Sequence, residues 1–156
     1  MSPEAHAQAV FLDYLPRLRD LLGRAQAQLP AGVWSARLAP DMLPLLVQAE
    51  IAVNLALRTH AALQGQAVDW GPPADTPDGV LQRLDHALAV WGELPHPVVA
   101  LCQEAAGDAV HRAPPEAFIA LFALPNYLFH HAMVHALLRQ AGLGIGKADF
   151  DGIHAY

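Results

Sequence analysis

The chain has 156 residues, of which 54% are hydrophobic and 15% are charged; this composition predicts one packed domain over 1–156 and excludes a disordered chain. Nine basic residues and a net charge of −6 leave no basic face that could bind several phosphates, so we expect no nucleic-acid partner. A single cysteine, Cys102, excludes an internal disulfide framework and fits a reducing compartment.

The sequence shows neither a secretion signal nor a membrane span. Its first residues lack a basic region followed by an apolar core, so we expect a cytoplasmic protein. The most apolar stretch, 117–133, contains Pro125, Asn126, His130 and His131 and falls short of the roughly 18 uninterrupted apolar residues that a span needs. We therefore interpret it as a buried helix of a soluble protein with no membrane partner.

The first half of the chain predicts two helices. Apolar residues at three- and four-residue steps predict the first helix over 4–29, and Pro16 inside it should kink or restart that helix. The second helix is predicted over 41–63. Asp41 is its expected N-cap or first-turn acid, and Pro44 lies in the first turn, where its missing N–H costs nothing.

A third helix and a β-hairpin are predicted next. Thr76 as N-cap and Pro77 as the first helical residue start a helix that ends near Gly92. The β-branched run 98–102 and the segment 109–112 are separated by a turn and predict two short paired strands.

The last predicted helix runs from 115 to 140, with Pro125 inside it, and stops at Gly142. The glycine-rich tail 144–156 is expected to pack back across the other helices. Together these elements predict an all-α four-helix bundle with a short β-hairpin between helices 3 and 4.

One glycine-rich segment, 142–147, has a composition similar to a phosphate-binding loop. That loop needs a preceding strand and a Ser or Thr after the Lys, whereas here a helix precedes it and Ala148 follows Lys147. We interpret the segment as a helix C-cap followed by a turn.

Three histidines on the last helix are candidates for a functional site. His131 and His135 have the i, i+4 spacing that can hold one metal ion. At about 100° per residue, Asn126 and His130 fall on an apolar arc and should point inward, whereas His131 and His135 should point away from the centre. The arc consists of Phe118, Phe122, Phe129, Met133, Ala136 and Leu137.

A polar pair on an apolar arc needs hydrogen-bond partners, because an unsatisfied buried group costs about 1–3 kcal/mol. The second helix offers such partners on its inward face. Its other polar residues, Glu50, Asn54 and Arg58, form a separate edge that we expect to be solvated. The candidate pocket therefore consists of Asp41, Gln48, Asn126 and His130.

Three interpretations of these residues stay open. They form a pocket for a small molecule or a divalent metal, or a hydrogen-bond network that only fixes the register of the helices, or a surface metal site at His131 and His135. The remaining histidines have no sequence neighbours that suggest a shared site, and we expect them in loops or facing solvent: His6, His60, His86, His96, His111 and His154.

Two segments resemble an uncharacterised bacterial family of domains of unknown function. The first is Arg37-Leu-Ala-Pro-Asp-Met-Leu-Pro44, followed by Gln48, and the second is Phe122-Ala-Leu-Pro-Asn-Tyr-Leu-Phe-His130, continued by 136–149. That family is grouped with the DinB/YfiT-like four-helix bundles, which are often described as metalloenzymes. The resemblance implies this fold, a metal-assisted transferase or hydrolase activity, and a homodimer.

The resemblance also implies a set of metal-binding positions. DinB-like proteins use one His on the second helix and a His-x-x-x-His pair on the last, and these positions correspond here to Gln48, Asn126 and His130. Only one imidazole matches the family pattern, and amide oxygens are poor ligands for zinc or nickel. If a metal binds, the resemblance implies neutral His130 as a ligand, with Asp41 or Gln48 orienting a water that the metal acidifies.

The alternative function is a non-catalytic homodimeric module. The mean hydropathy of the chain is positive, which is high for a soluble protein. Large exposed apolar patches usually mark interfaces, so this surplus predicts burial between two subunits. In that case the His130 network serves only the fold.

Overall fold

The structure, a computed structural model, describes residues 1–94 and 98–155, in which four long helical segments surround one hydrophobic core. A 3₁₀-helix spans Ala31–Ser35, and a π-helical turn over Ile119–Ala123 joins α4 to α5. The expectations for His96 and for the end of the tail lie outside the described residues. The α-helices are α1 (Pro3–Gln28), α2 (Leu45–Gln64), α3 (Pro77–Trp91), α4 (Pro115–Phe118), α5 (Leu124–Gln140) and α6 (Lys147–Asp151).

The long helices pack as a closed ring around the core. α1 and α2 each contact both α3 and α5, so α1 and α2 lie diagonally opposite each other. The short α6 packs back on α1. The predicted all-α fold with a small β-hairpin before the last helix is confirmed.

α1 continues through Pro16 as one helix and does not restart there. A proline removes the hydrogen bond to the carbonyl four residues earlier, which here belongs to Leu12. Leu12 and Pro16 are both exposed, so water can solvate that carbonyl and the helix tolerates the loss.

α2 begins at Leu45, four residues later than predicted, and Pro44 is its N-cap in an extended conformation. Asp41 lies in a turn before the helix and does not cap it, so that prediction is wrong. The reason is steric, because the residue before a proline is disfavoured in the helical region and Leu43 therefore cannot continue the helix upstream. Gly65 ends α2 with φ +65, as the sequence predicts.

The first strand of the hairpin lies further along the chain than predicted, whereas the second strand lies where it was predicted. β1 (Cys102–Ala106) pairs antiparallel with β2 (Ala109–Ala113), and Gly107 turns between them at φ +61. Val99 was expected in the first strand, but its N–H donates instead to the carbonyl of Leu63, 2.9 Å away at the end of α2.

The polar edge of α2 is covered rather than solvated, so that prediction is wrong. Arg83 of α3 is buried and donates to Asn54 Oδ1 at 2.8 Å, while Glu50 Oε1 lies 3.8 Å from its guanidinium. Arg58 donates to Glu104 Oε1 at 2.7 Å and ties the hairpin to α2. Both partners come from distant parts of the chain, which a helical wheel of α2 alone does not include.

The continuous helix Pro115–Gln140 is long and apolar enough to cross a membrane by length and composition. A single helix of this kind is weak evidence, because the core helix of a soluble protein has the same composition. Here Tyr127, His131 and Val134 on this helix are fully buried against the other helices, which is consistent with a soluble protein.

Candidate functional site

The face of α5 that points into the core differs from the predicted one. Its buried residues are Tyr127, His131, Val134, Leu137 and Leu138, spaced as one stripe of a helix. Phe129, expected in the core, is 52% exposed. The predictions that Phe129 points inward and that His131 points away from the centre are therefore wrong.

The π-helical turn explains this error. Pro125 has no N–H to continue a regular α-helix, and Leu124 N–H bonds to the carbonyl of Ile119, five residues back. A bond of this type spans one residue more than an α-type bond, so α5 is out of phase with α4 by about one residue, or about 100°. A helical wheel that assumes regular α-helical spacing from Phe118 and Phe122 onward therefore places the wrong residues of α5 in the core.

Gln48 and His130 form the predicted contact between α2 and α5. Gln48 is 2% exposed, and its Oε1 lies 2.7 Å from Nδ1 of half-buried His130. Gln48 Nε2 faces the carbonyl of Leu43 at 3.5 Å, which is consistent with this amide orientation. Burial lowers the pKa of His130 by penalising the charged imidazolium. The pair is thus a neutral imidazole held by a buried amide.

Asn126 lies one helical turn before His130, and its Nδ2 donates to the carbonyl of Phe122 at 2.6 Å. Asp41 is exposed in the turn before α2, and within residues 1–94 and 98–155 it makes no hydrogen bond or ion pair with the other three residues. The structure thus brings Gln48 and His130 into contact with Asn126 beside them, and leaves Asp41 apart.

His131 is fully buried, and its ring contacts Tyr14, Tyr127 and Phe150. Its Nδ1 lies 3.3 Å from the Tyr127 hydroxyl, while its Nε2 is buried without a hydrogen-bond partner in the described part of the chain. Burial, with smaller contributions from His135 and Arg17, lowers the pKa of His131 to about 3. This imidazole is therefore neutral over the physiological range of pH.

His135 faces the tail of the chain, and its Nε2–H donates to the carbonyl of Gly146 at 2.8 Å. With Ala132, Lys147 and Phe150 it lines a cavity of about 250 Å³ between α5 and α6. Neither Lys147 nor Phe150 is evident as a lining residue from the sequence, because the glycine-rich segment 142–147 is typical of a turn and the tail after it has no regular pattern. The one available signal was an aromatic residue and a lysine among small residues of the tail.

Neither histidine arrangement fits a divalent metal centre. At the first, His130 is the single imidazole, and the other positions carry amides, which are poor ligands for zinc or nickel. At the second, the Nε2 of His135 is engaged by Gly146 and the ring of Phe150 contacts both imidazoles. Among the described residues no three His, Cys, Asp or Glu side chains lie close enough to share an ion.

Comparison with known proteins shows the family and the fold. The fold is similar to the crystal structure of a DinB family member protein from Shewanella denitrificans, with a TM-score of 0.75 and 23% identity over 96% of this chain and 91% of that one. No curated protein matches the chain. The family described as the domain of unknown function DUF1993 matches residues 5–151. The predicted resemblance is thus confirmed, and the chain belongs to the DUF1993 family.

Proposed function

We propose that this protein binds a small molecule at the seam between α2 and α5, with His130 as the central recognition group. The observation that supports the proposal is the 2.7 Å hydrogen bond between His130 Nδ1 and Gln48 Oε1. An amide oxygen only accepts hydrogen bonds, so the proton resides on Nδ1. The lone pair of Nε2 is then available to a ligand.

The free polar atoms of this seam suggest the ligand's chemistry. His130 Nε2 and Asn126 Oδ1 make no hydrogen bond within residues 1–94 and 98–155, and both are acceptors in this arrangement. A complementary ligand must therefore donate hydrogen bonds, as a hydroxyl or a primary amine does. Because the lowered pKa keeps His130 neutral, Nε2 remains a hydrogen-bond acceptor at physiological pH.

Binding of small alcohols and amines, followed by backbone amide NMR shifts, tests this proposal. We expect fragments with a hydroxyl or amine to shift the amides around Gln48, Asn126 and His130, while their O-methyl or hydrocarbon analogues do not. His130→Phe should weaken this binding at least about tenfold because it removes the acceptor and keeps a ring. His6→Phe, at an exposed position, is the matched control and should bind as the wild type does.

The same variants separate a binding site from a purely structural network. If His130→Phe lowers the melting temperature while no donor fragment shifts the seam in the wild type, the pair serves only the helix register and the proposal is wrong. Loss of binding with an unchanged melting temperature supports the site.

A second proposal is that the outer face of the last helix forms a homodimer interface. Leu121 is 76% exposed and Phe129 is 52% exposed, with Pro125 exposed between them. Residues 117–138 contain no Asp, Glu, Lys or Arg, and exposed Glu116 and Arg139 flank this run. In an antiparallel pair related by a two-fold axis, each Glu116 would meet Arg139 of the second copy, and the apolar residues would be buried between them.

Analytical ultracentrifugation of charge variants tests the dimer. We expect Phe129→Glu to give a monomer, because it places a charge in the apolar centre of the interface. Glu116→Arg should weaken the dimer, and adding Arg139→Glu to it should restore association. Trp70→Glu, on the loop before α3, is the control and should leave the dimer intact. A wild-type protein that sediments as a monomer at every concentration would contradict this interface.

We also propose that the protein acts in the cytoplasm. Its single cysteine, Cys102, is a free and buried thiol. Burial raises the pKa of this thiol, so it stays protonated and unreactive. A protein that carries no disulfide fits a reducing compartment.

A further inference from the structure

The cavity between α5 and α6 lies on the flank of α5 that faces the tail, whereas the Gln48–His130 seam faces α2. It measures about 250 Å³ and is lined by Ala132, His135, Lys147 and Phe150. An apolar protein cavity of about 150 Å³ accommodates benzene, so this space holds a ring with one small substituent. None of these lining residues belongs to the Gln48–His130 seam, so binding in the cavity does not depend on the function proposed above.

The charges around this cavity leave one cation without a carboxylate partner. Of the two aspartates of α6, Asp149 is bound by Arg24 at 2.9 Å and by the N–H of Gly146 at 2.7 Å. Asp151 accepts from His154 Nδ1 at 2.6 Å and from the N–H of Ile153. Lys147 is exposed, its Nζ donates to His154 Nε2 at 3.4 Å, and it makes no ion pair with an acidic side chain of the described residues.

The aromatic ring of Phe150 forms an apolar wall between the cavity and the buried imidazole of His131. Phe150 lines the cavity, and its ring centroid lies 4.7 Å from that of His131 and 6.1 Å from that of His135. His131 is fully buried behind it, with an Nε2 that finds no partner among the described residues. Three buried imidazole nitrogens of the described residues have no hydrogen-bond partner, those of His60, His111 and His131, and the last belongs to the ring that packs against Phe150.

We propose that the α5–α6 cavity binds a small organic monoanion, namely a carboxylate carried on a ring-sized apolar body. The Lys147 ammonium supplies the positive charge that the carboxylate requires. Phe150 and Ala132 supply the apolar surface for the body, and His135 forms the polar edge of the cavity. The charge of Lys147, which no carboxylate of the described residues contacts directly, and the apolar wall are both needed, so neither an inorganic anion nor a neutral ring satisfies the whole site.

Titration of the full chain with benzoate, followed by backbone amide NMR, tests the proposal. We expect benzoate to shift amides in 132–135 and 146–151, and benzamide, the neutral analogue, to bind about tenfold more weakly. Acetate, which keeps the charge and lacks the ring, should also bind about tenfold more weakly. Benzoate shifts confined to the Gln48–His130 seam would overturn the proposal for this cavity and leave the seam proposal standing.

Two matched variants locate the charge. Lys147→Met keeps the length of an exposed side chain and should weaken benzoate binding about tenfold. Arg112→Met removes a cation from the exposed hairpin, where the guanidinium donates to Gln103 Oε1 at 3.2 Å, and should leave benzoate binding unchanged. Equal affinity for benzoate and benzamide, undiminished binding by Lys147→Met, or equal loss in both variants would each overturn the proposal.

Discussion

Replacing Trp91 by alanine should lower the free energy of unfolding by about 4 kcal/mol, the largest loss that we expect from one side chain. Trp91 is fully buried and stacks on Phe11 with ring centroids 4.6 Å apart. Its Nε1–H donates to the carbonyl of Ala56 at 3.0 Å, and His60 packs edge-on against the same ring. Alanine removes all three contacts and leaves a cavity where α1, α2 and α3 meet. Small domains have a total stability of about 5–15 kcal/mol, so this variant should be marginally folded at best.

Guanidinium chloride unfolding provides the measurement. Trp91→Ala should lower the midpoint without changing the slope of the transition, because the fold is retained and only its stability falls. Trp70→Ala is a matched control on a side chain that is 42% exposed, and it should cost less than about 1 kcal/mol. Similar losses for both tryptophans would contradict the central position of Trp91.

The second large effect is a loss of stability in acid that depends on His131. The folded protein holds the pKa of His131 near 3, whereas the ordinary value in an unfolded chain is 6.5. As pH falls below 6.5, the unfolded chain takes up a proton that the folded protein does not. The stability therefore falls by about 1.4 kcal/mol per pH unit until the pH approaches the folded pKa, which amounts to about 3 kcal/mol by pH 4.

His131→Gln isolates this contribution, because glutamine does not titrate and keeps an amide that can bond to the Tyr127 hydroxyl. We expect the difference in unfolding free energy between pH 7 and pH 4 to be smaller in this variant by about 3 kcal/mol. The pKa values of Asp149 and Asp151 are also lowered, so protonation of these carboxylates in acid reduces the stability of the folded protein too. This loss is the same in the wild type and in His131→Gln.

His6→Gln is the same substitution at an exposed position and should change the stability at either pH by less than about 0.5 kcal/mol. Identical acid losses in His131→Gln and the wild type would show that the buried imidazole does not control the profile.

Local chemistry was sufficient to predict where most helices begin and end. The Thr76 side chain accepts from the N–H of Gly79 and caps α3, with Pro77 as the first helical residue. Gly65 ends α2 in the left-handed conformation. These signals depend on residues within a few positions of each other, so the sequence alone carries them.

Long-range partners were not predictable from such signals. Asn54 and Arg58 resemble a solvated edge on a helical wheel, because nothing on α2 shows that Arg83 or Glu104 will cover them. The shift of the first strand has the same cause, since Val99 bonds to the end of α2 rather than to a neighbouring strand.

The candidate site was predictable in part. The facing of Gln48 and His130 followed from their positions on two amphipathic helices, and the structure shows them in contact. The burial of His131 did not follow, because a regular helical wheel does not include the extra residue per turn that Pro125 introduces. One local irregularity thus changed which of Phe129 and His131 faces the core.

The π-helical turn also gives the parts of the last helix before and after it different faces toward the protein. Phe118, before the turn, packs on His111 of the hairpin, and Tyr127, after the turn, packs on Phe11 of α1. A homologue could therefore gain or lose a residue before Leu124 by switching between π and α winding. The orientation of His130 toward α2 would survive such a length change, which makes this turn a natural place for insertions and deletions during evolution.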